Sequence, residues 1–271
     1  MITAERFKYS NNSVRIKPVA LPVEHGGWGL LSEPIALGLL VAPSLPGILI
    51  GLAAVGAFLT RQPFKLLVGD FRRNRRLPRT DVAIRFVLVY ALASAACLFA
   101  ATAITANSFL VPLLVAAPFV GVQLFYDVSG KTRQLIPEIT SSVALGAIGA
   151  SIVLADGGTV KSAYGVWLIM AARSLPSILY LRARLAESHN KPVSLFPALA
   201  ANLVALVGLF ALADRGLVPV LAVVPIAVLT FRAVGGLLRP KAVPAKTLGI
   251  QELILGAVTV LVVATGFWLG Y

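Results

Sequence analysis

Charge is scarce in this chain, and acid is scarcer still. Only 13% of the 271 residues are Asp, Glu, Lys or Arg, and 11 acids stand against 24 bases. With 58% hydrophobic residues and a mean hydropathy of +0.88, that shortage excludes an ordinary soluble domain, so the solvent for most of the chain is lipid. Cysteine is nearly absent as well. The single one, Cys97, lies in an apolar run, can form no intrachain disulfide, and reads as a small packing residue. The first twenty residues hold no apolar core of the length a secretory signal requires, so the first span is expected to be the targeting element. There is no Walker loop, dinucleotide fingerprint or nucleophile elbow, and neither His25 nor His189 falls in a metal-ligand spacing. No catalytic residue and no metal ligand is assigned on these grounds.

What the chain does have is long apolar stretches, at roughly 28–43, 46–67, 81–105, 108–126, 135–155, 162–185, 194–212, 217–238 and 247–270. Most approach the ~20 residues that carry a helix across ~30 Å of hydrocarbon. They are apolar all round, whereas a barrel strand alternates polar and apolar residues, so helices are the only backbone that satisfies itself here. The expectation is an all-α, polytopic transmembrane bundle of about nine spans, one domain over 28–271 behind an N-terminal segment 1–27. Two short uncharged stretches, Ala42 to Gly47 and Thr105 to Ser108, either end helices or kink them. Gly146 and Gly149, with Ala144, Ala147 and Ala150, would let helix backbones approach closely.

The net charge of +13 is explained by orientation rather than by nucleic acid, because the bases sit in short runs between apolar segments. Four lie in the N-terminal segment, eight from Arg61 to Arg85, two at Lys131 and Arg133, four from Arg173 to Lys191 and four from Arg232 to Lys246. That places 22 of 24 on alternate connections, leaving only Lys161 and Arg215 on the others. Short basic loops stay in the cytoplasm, so the expected topology in the cell (inner) membrane has the N-terminus inside and Tyr271 outside. The expected partners are membrane lipids, with no nucleic acid.

Two segments could carry chemistry. In Arg61-Gln62-Pro63-Phe64-Lys65 and onward to Asp70, the residues Arg61, Lys65 and Gly69 share one helical face, giving two cations and a bare backbone. Such a stripe suits an anion such as a phosphate. The bland alternative is snorkelling, which fits Arg72 to Arg76 best. In Arg173-Ser174-Leu175-Pro176, continuing through Tyr180, Arg182 and Arg184, a cation lies inside apolar sequence, where it needs a partner or water. Pro63 and Pro176 are expected to break their helices locally. Candidate counter-charges are Glu24, Glu33, Asp70, Asp127, Glu138 and Glu252, and His25 beside Glu24 could titrate near neutral pH. The sharpest expectation is that Arg61, Lys65 and Arg173 converge on one anion.

The residues Glu24-His25-Gly26-Gly27-Trp28, Arg61-Gln62-Pro63-Phe64-Lys65, Arg173-Ser174-Leu175-Pro176 and Tyr180-Leu181-Arg182-Ala183-Arg184 resemble those of the YwiC-like family of bacterial integral membrane proteins. That resemblance implies no settled activity. More distantly the layout is similar to the UbiA prenyltransferase superfamily, which implies nine helices and a prenyl diphosphate held through magnesium by Asp-rich motifs after helices 2 and 6. The segment from Phe125-Tyr126-Asp127 to Glu138-Ile139-Thr140 and Leu145-Gly146 also resembles that superfamily's fifth helix. Here the first motif position offers only Asp70 and Asn74 among arginines, and the second Arg173, Arg182, Arg184 and Glu187, so magnesium is less expected than in those relatives. The candidate ligand residues are therefore Arg61, Gln62, Lys65, Asp70, Arg173, Tyr180, Arg182, Arg184, Glu24 and His25, for an anionic isoprenoid or lipid phosphate. A transferase with degenerate metal motifs, a small-anion or lipid carrier, and a non-catalytic assembly partner all remain open at this point.

Overall fold

A computed structural model describes residues 15–22, 25–189, 191–238 and 243–270, and the described residues form ten α-helices with no strand. A single turn, α1 (Lys17–Ala20), precedes α2 (His25–Val41), α3 (Leu45–Arg72), α4 (Pro78–Ile104), α5 (Leu110–Val128) and α6 (Leu135–Ala155). Then come α7 (Val160–Ser188), α8 (Phe196–Asp214), α9 (Val223–Leu238) and α10 (Ala245–Leu269). Eight of these, α3 to α10 with the short 3-10 turn before α9 included, are long and apolar enough to cross a membrane. The ninth expected span, α2, is shorter and apolar. This is a membrane-spanning all-α bundle, and large apolar side chains such as Phe99, Leu114, Phe210 and Phe231 stand outward, as lipid permits.

Both ambiguous turns end helices. Ser44 caps α3, its Oγ accepting from the Gly47 amide at 3.2 Å, and Pro46 sits in the first turn where its missing N–H costs nothing. At the second, Thr105 Oγ1 donates to the Ala155 carbonyl at 2.7 Å, tying the end of α4 to the end of α6. By contrast, the prolines do not break anything. Helix α3 runs through Pro63 and α7 through Pro176 without interruption, correcting the expectation of broken helices there. Each proline removes one backbone donor, but packing on both sides holds the helix together: Pro63 and Pro176 are both buried.

The centre of the bundle is α6 and α7, with α2 laid across α6. Small residues make this possible. Gly38 of α2 faces Gly149 of α6 so closely that a Cβ on Gly38 would lie 3.1 Å from the Gly149 Cα. A Cβ on Gly146 would lie 2.8 Å from the Trp167 ring of α7, whose Nε1 donates to the Val143 carbonyl at 2.8 Å. Dispersion and the indole hydrogen bond stabilise this interface where no hydrophobic drive exists between helix and lipid.

Hydrogen bonds also show which ends of the helices meet. At one end Arg72 reaches the Val128 carbonyl (2.7 Å), Arg182 reaches the Arg133 carbonyl (3.2 Å), and Gln62 reaches the Pro18 carbonyl (3.2 Å). This is the end that carries the basic loops. At the other, Trp268 Nε1 donates to the Leu40 carbonyl at 2.8 Å, closing α10 against α2.

Candidate functional site

The first expected cluster is divided among structural ties. Arg61 extends from α3 to α5, its Nε donating to Asp127 Oδ2 at 2.5 Å and its Nη2 to Oδ1 at 2.8 Å, while Gln123 Nε2 donates to the same carboxylate at 3.1 Å. This two-pronged geometry matches a guanidinium to a carboxylate, and Asp127 is almost wholly buried. Asp70 is spent at the α3–α4 turn. It accepts from Arg79 (2.6 and 3.2 Å) and from Thr80 Oγ1 (2.8 Å), and Asn74 takes the left-handed conformation that turns the chain, φ 48°. Lys65 has no ion pair or hydrogen bond among the described residues. With Pro22, the side chains of Arg61, Gln62 and Lys65 enclose only about 10 Å³, room for about one water and no more. Glu24 lies outside the described residues, and so does the side chain of His25, which opens α2.

The second cluster lies across α7, α9 and α10. Arg173, 3% exposed, donates from Nη1 to Ser177 Oγ (2.8 Å) and Glu252 Oε2 (3.0 Å), and from Nη2 to Glu33 Oε1 (3.1 Å) and the Glu252 carbonyl (2.9 Å). Glu252 Oε1 accepts from Arg232 Nη2. Glycine makes the room: a Cβ on Gly256, one turn beyond Glu252, would overlap the Glu33 carboxylate. Two arginines and two glutamates thus meet from four helices. Arg61 and Arg173 therefore each hold their own carboxylates, Asp127 for the one and Glu33 and Glu252 for the other, instead of sharing one anion.

Beside this quartet, at the basic end, lies an open cleft of about 440 Å³. Tyr180, Arg184, Arg232 and Gln251 line its polar part, Phe231 and Leu248 its apolar part. Arg232 stacks on the Tyr180 ring, its guanidinium carbon 4.3 Å from the centroid, which fixes the plane of the cation. The ring in turn rests where Gly236 leaves space, since a Cβ there would lie 2.6 Å from the Tyr180 hydroxyl. Of the remaining expected residues, Arg184 is buried and bonds Glu187 one turn on at 3.0 Å, and Arg182 bonds Glu138 of α6 at 2.7 Å. Arg232 and Gln251 were not among the expected site residues.

Magnesium, implied by the more distant resemblance, does not fit what the described residues offer. Among the described residues no three of His, Cys, Asp and Glu gather, and Glu33, Asp70, Asp127, Glu138 and Glu252 each bond an arginine. In comparison with known proteins, residues 21–153, about half of the chain, match the YwiC-like protein family. No curated protein and no solved structure matches.

Proposed function

We propose that this membrane bundle, YwiC-like over residues 21–153, binds an anionic amphiphile, an isoprenoid or lipid phosphate, in the cleft between α7, α9 and α10. One observation carries the reading. Arg232 Nε and Nη1 are buried and make no hydrogen bond among the described residues, although the side chain lines an open cleft. Buried donors of a charged group are costly to leave without acceptors, and a phosphate oxygen is the acceptor that a guanidinium fork fits best. Tyr180 and Gln251 add a ring and an amide beside it.

The rest of the lining selects an amphiphile over a small anion. Leu248 is buried against the cleft, and Phe231, 83% exposed, stands at its rim among side chains that face lipid. A phosphate held at Arg232 would leave its hydrocarbon chain along Phe231 and in the bilayer, so that no methylene is exposed to water on binding. The cleft volume is within the range of small-molecule sites, about 300–1,000 Å³. By the loop-charge rule the cleft faces the cytoplasm, since the α7–α8 and α9–α10 connections belong to the basic set.

Mass spectrometry of the gently purified protein tests the reading. A co-purified phosphate-bearing lipid or isoprenoid that is lost from Arg232→Gln is the expected result. Wild type and Arg232→Gln carrying identical lipid would overturn it.

A further inference from the structure

The cleft does not end at Arg232. The same guanidinium bonds Glu252, Glu252 is held by Arg173, and Arg173 reaches Glu33 on α2, so an unbroken chain of ion pairs runs from the cleft into the bundle. Its charges balance: two arginines against two glutamates. Among the described residues, the other charged or titratable groups lining the cleft are Arg184 and Tyr180 on α7, and Arg184 bonds Glu187. On the Glu33 side the carboxylate fills the place that the missing Cβ of Gly256 leaves open.

Because the quartet is neutral only as a whole, withdrawing one member changes what the others must do. We propose that Glu33 and Glu252 form a proton-binding site coupled to occupancy of the cleft. The inference rests on the cleft being an anion site. When a phosphate takes the unbonded Nε and Nη1 of Arg232, its charge offsets that of the arginine, so Glu252 shares Arg232 with the ligand and Arg173 alone is left to balance two carboxylates. The excess negative charge sits among apolar helices, where an uncompensated charge costs more than protonating an acid. A proton from solvent then adds to a carboxylate oxygen of the pair. The only covalent bond formed is that O–H; Arg232 donates hydrogen bonds to the phosphate from Nε and Nη1. One proton enters for each single negative charge bound, so the anion and the proton bind together.

The sign of the linkage follows. The occupied state holds one more proton than the empty one, so affinity falls as pH rises, by about tenfold per pH unit for one proton, in the interval where the empty quartet is ionised and the occupied one is protonated. Calorimetry on the full chain in phosphatidylcholine nanodiscs reads this directly. The probe is dioctanoyl phosphatidylglycerol, a phosphodiester whose own charge stays constant, with glycerophosphoglycerol as the same headgroup without chains. Titrations in two buffers of different ionisation enthalpy count protons taken up. Expected are about one proton per probe bound to wild type and none in Glu252→Gln, whose remaining Arg173–Glu33 pair is neutral without one. Binding with no proton uptake in wild type, or uptake that persists in Glu252→Gln, overturns the coupling. Binding of the chainless headgroup as tightly as the lipid would assign the site to a free phosphate ester.

A second arm needs no ligand. Arg232→Gln withdraws the same positive charge permanently, so its infrared spectrum at neutral pH should gain the C=O stretch of a protonated carboxyl, absent from wild type and from Arg232→Gln/Glu252→Gln. A spectrum of Arg232→Gln without that band overturns the proton site even if the probe binds. A probe that fails to bind while the band appears removes the anion reading and keeps the proton site.

Discussion

Two arginines in this bundle sit in almost the same chemical situation and come to different ends. Arg61 on α3 and Arg232 on α9 are each mostly buried, 24% and 20% exposed at the side chain, and each bonds a carboxylate on a neighbouring helix. Around Arg61 the remaining space is about 10 Å³, and Asp127 meets the fork with both oxygens. Around Arg232 there is about 440 Å³, and only one of its three nitrogens is bonded. A cation inside apolar sequence is thus no evidence of a ligand site by itself. Space beside it, and donors without acceptors, are what separate a tie between helices from a site.

The largest expected effect comes from cutting the tie on which both features depend. Arg173→Ala leaves Glu33 buried without its cation, which costs about 3–5 kcal/mol for a broken buried pair. Thermal unfolding in detergent should show it, and Glu33→Gln in the same chain should restore much of the loss, because Glu252 still has Arg232. Failure of that rescue would place the cost elsewhere than in the unpaired acid.

Next in size is Arg61→Ala. Losing a bidentate, charge-assisted contact costs about 1.5–3 kcal/mol of stability. A double-mutant cycle with Asp127→Ala should return most of it as coupling, and binding of dioctanoyl phosphatidylglycerol should stay at the wild-type level. Weakened binding in this variant would erase the contrast between the two arginines.

The fold was largely legible in the sequence, and the pairing of the candidate site's residues only in part. Helix limits fell within a few residues of the apolar stretches because span length is dictated by the bilayer. Asp127, Glu138, Glu33 and Glu252 were all readable as counter-charges, since an acid in apolar sequence needs a cation. Which arginine each would take was not, because pairing across α2, α7 and α10 depends on how the helices pack and on Gly256, whose missing Cβ only means something beside Glu33. Asp70 looked like the remnant of a ligand motif but closes the α3–α4 turn with Arg79 and Thr80. Arg232 was hidden by its position, counted with the loop cations that follow it. Its signal was there: it precedes the end of α9 by nearly two turns, with Gly235 and Gly236 following one turn on. Pro63 and Pro176 misled for the opposite reason, since buried packing holds a helix that local sequence would break.

A smaller effect is expected at Gly236. Gly236→Ala drives a methyl into the Tyr180 ring, at a cost of about 1–2 kcal/mol from overpacking, and tilts the platform under Arg232. Binding of the phosphatidylglycerol probe should weaken together with stability. Unchanged binding would show that the ring does not position the cation.

The smallest effects belong to the exposed turns at the other end of the bundle. Asp156→Ala and Asp214→Ala remove side chains that meet no partner among the described residues, so melting temperature should shift by no more than about 0.5 kcal/mol allows. A large loss of folded protein in either would mean that these turns pack against something.

The central claim is that the anion site is built at Arg232 and not at Arg61, and one side-by-side titration decides it. Native mass spectrometry of wild type, Arg232→Gln and Arg61→Gln, each with dioctanoyl phosphatidylglycerol over the same concentration range, reads occupancy in intact protein. The account predicts at least a tenfold weaker occupancy in Arg232→Gln, the loss of about one charge-assisted hydrogen bond, with Arg61→Gln matching wild type. Equal occupancy in all three proteins, or loss in Arg61→Gln alone, would contradict it.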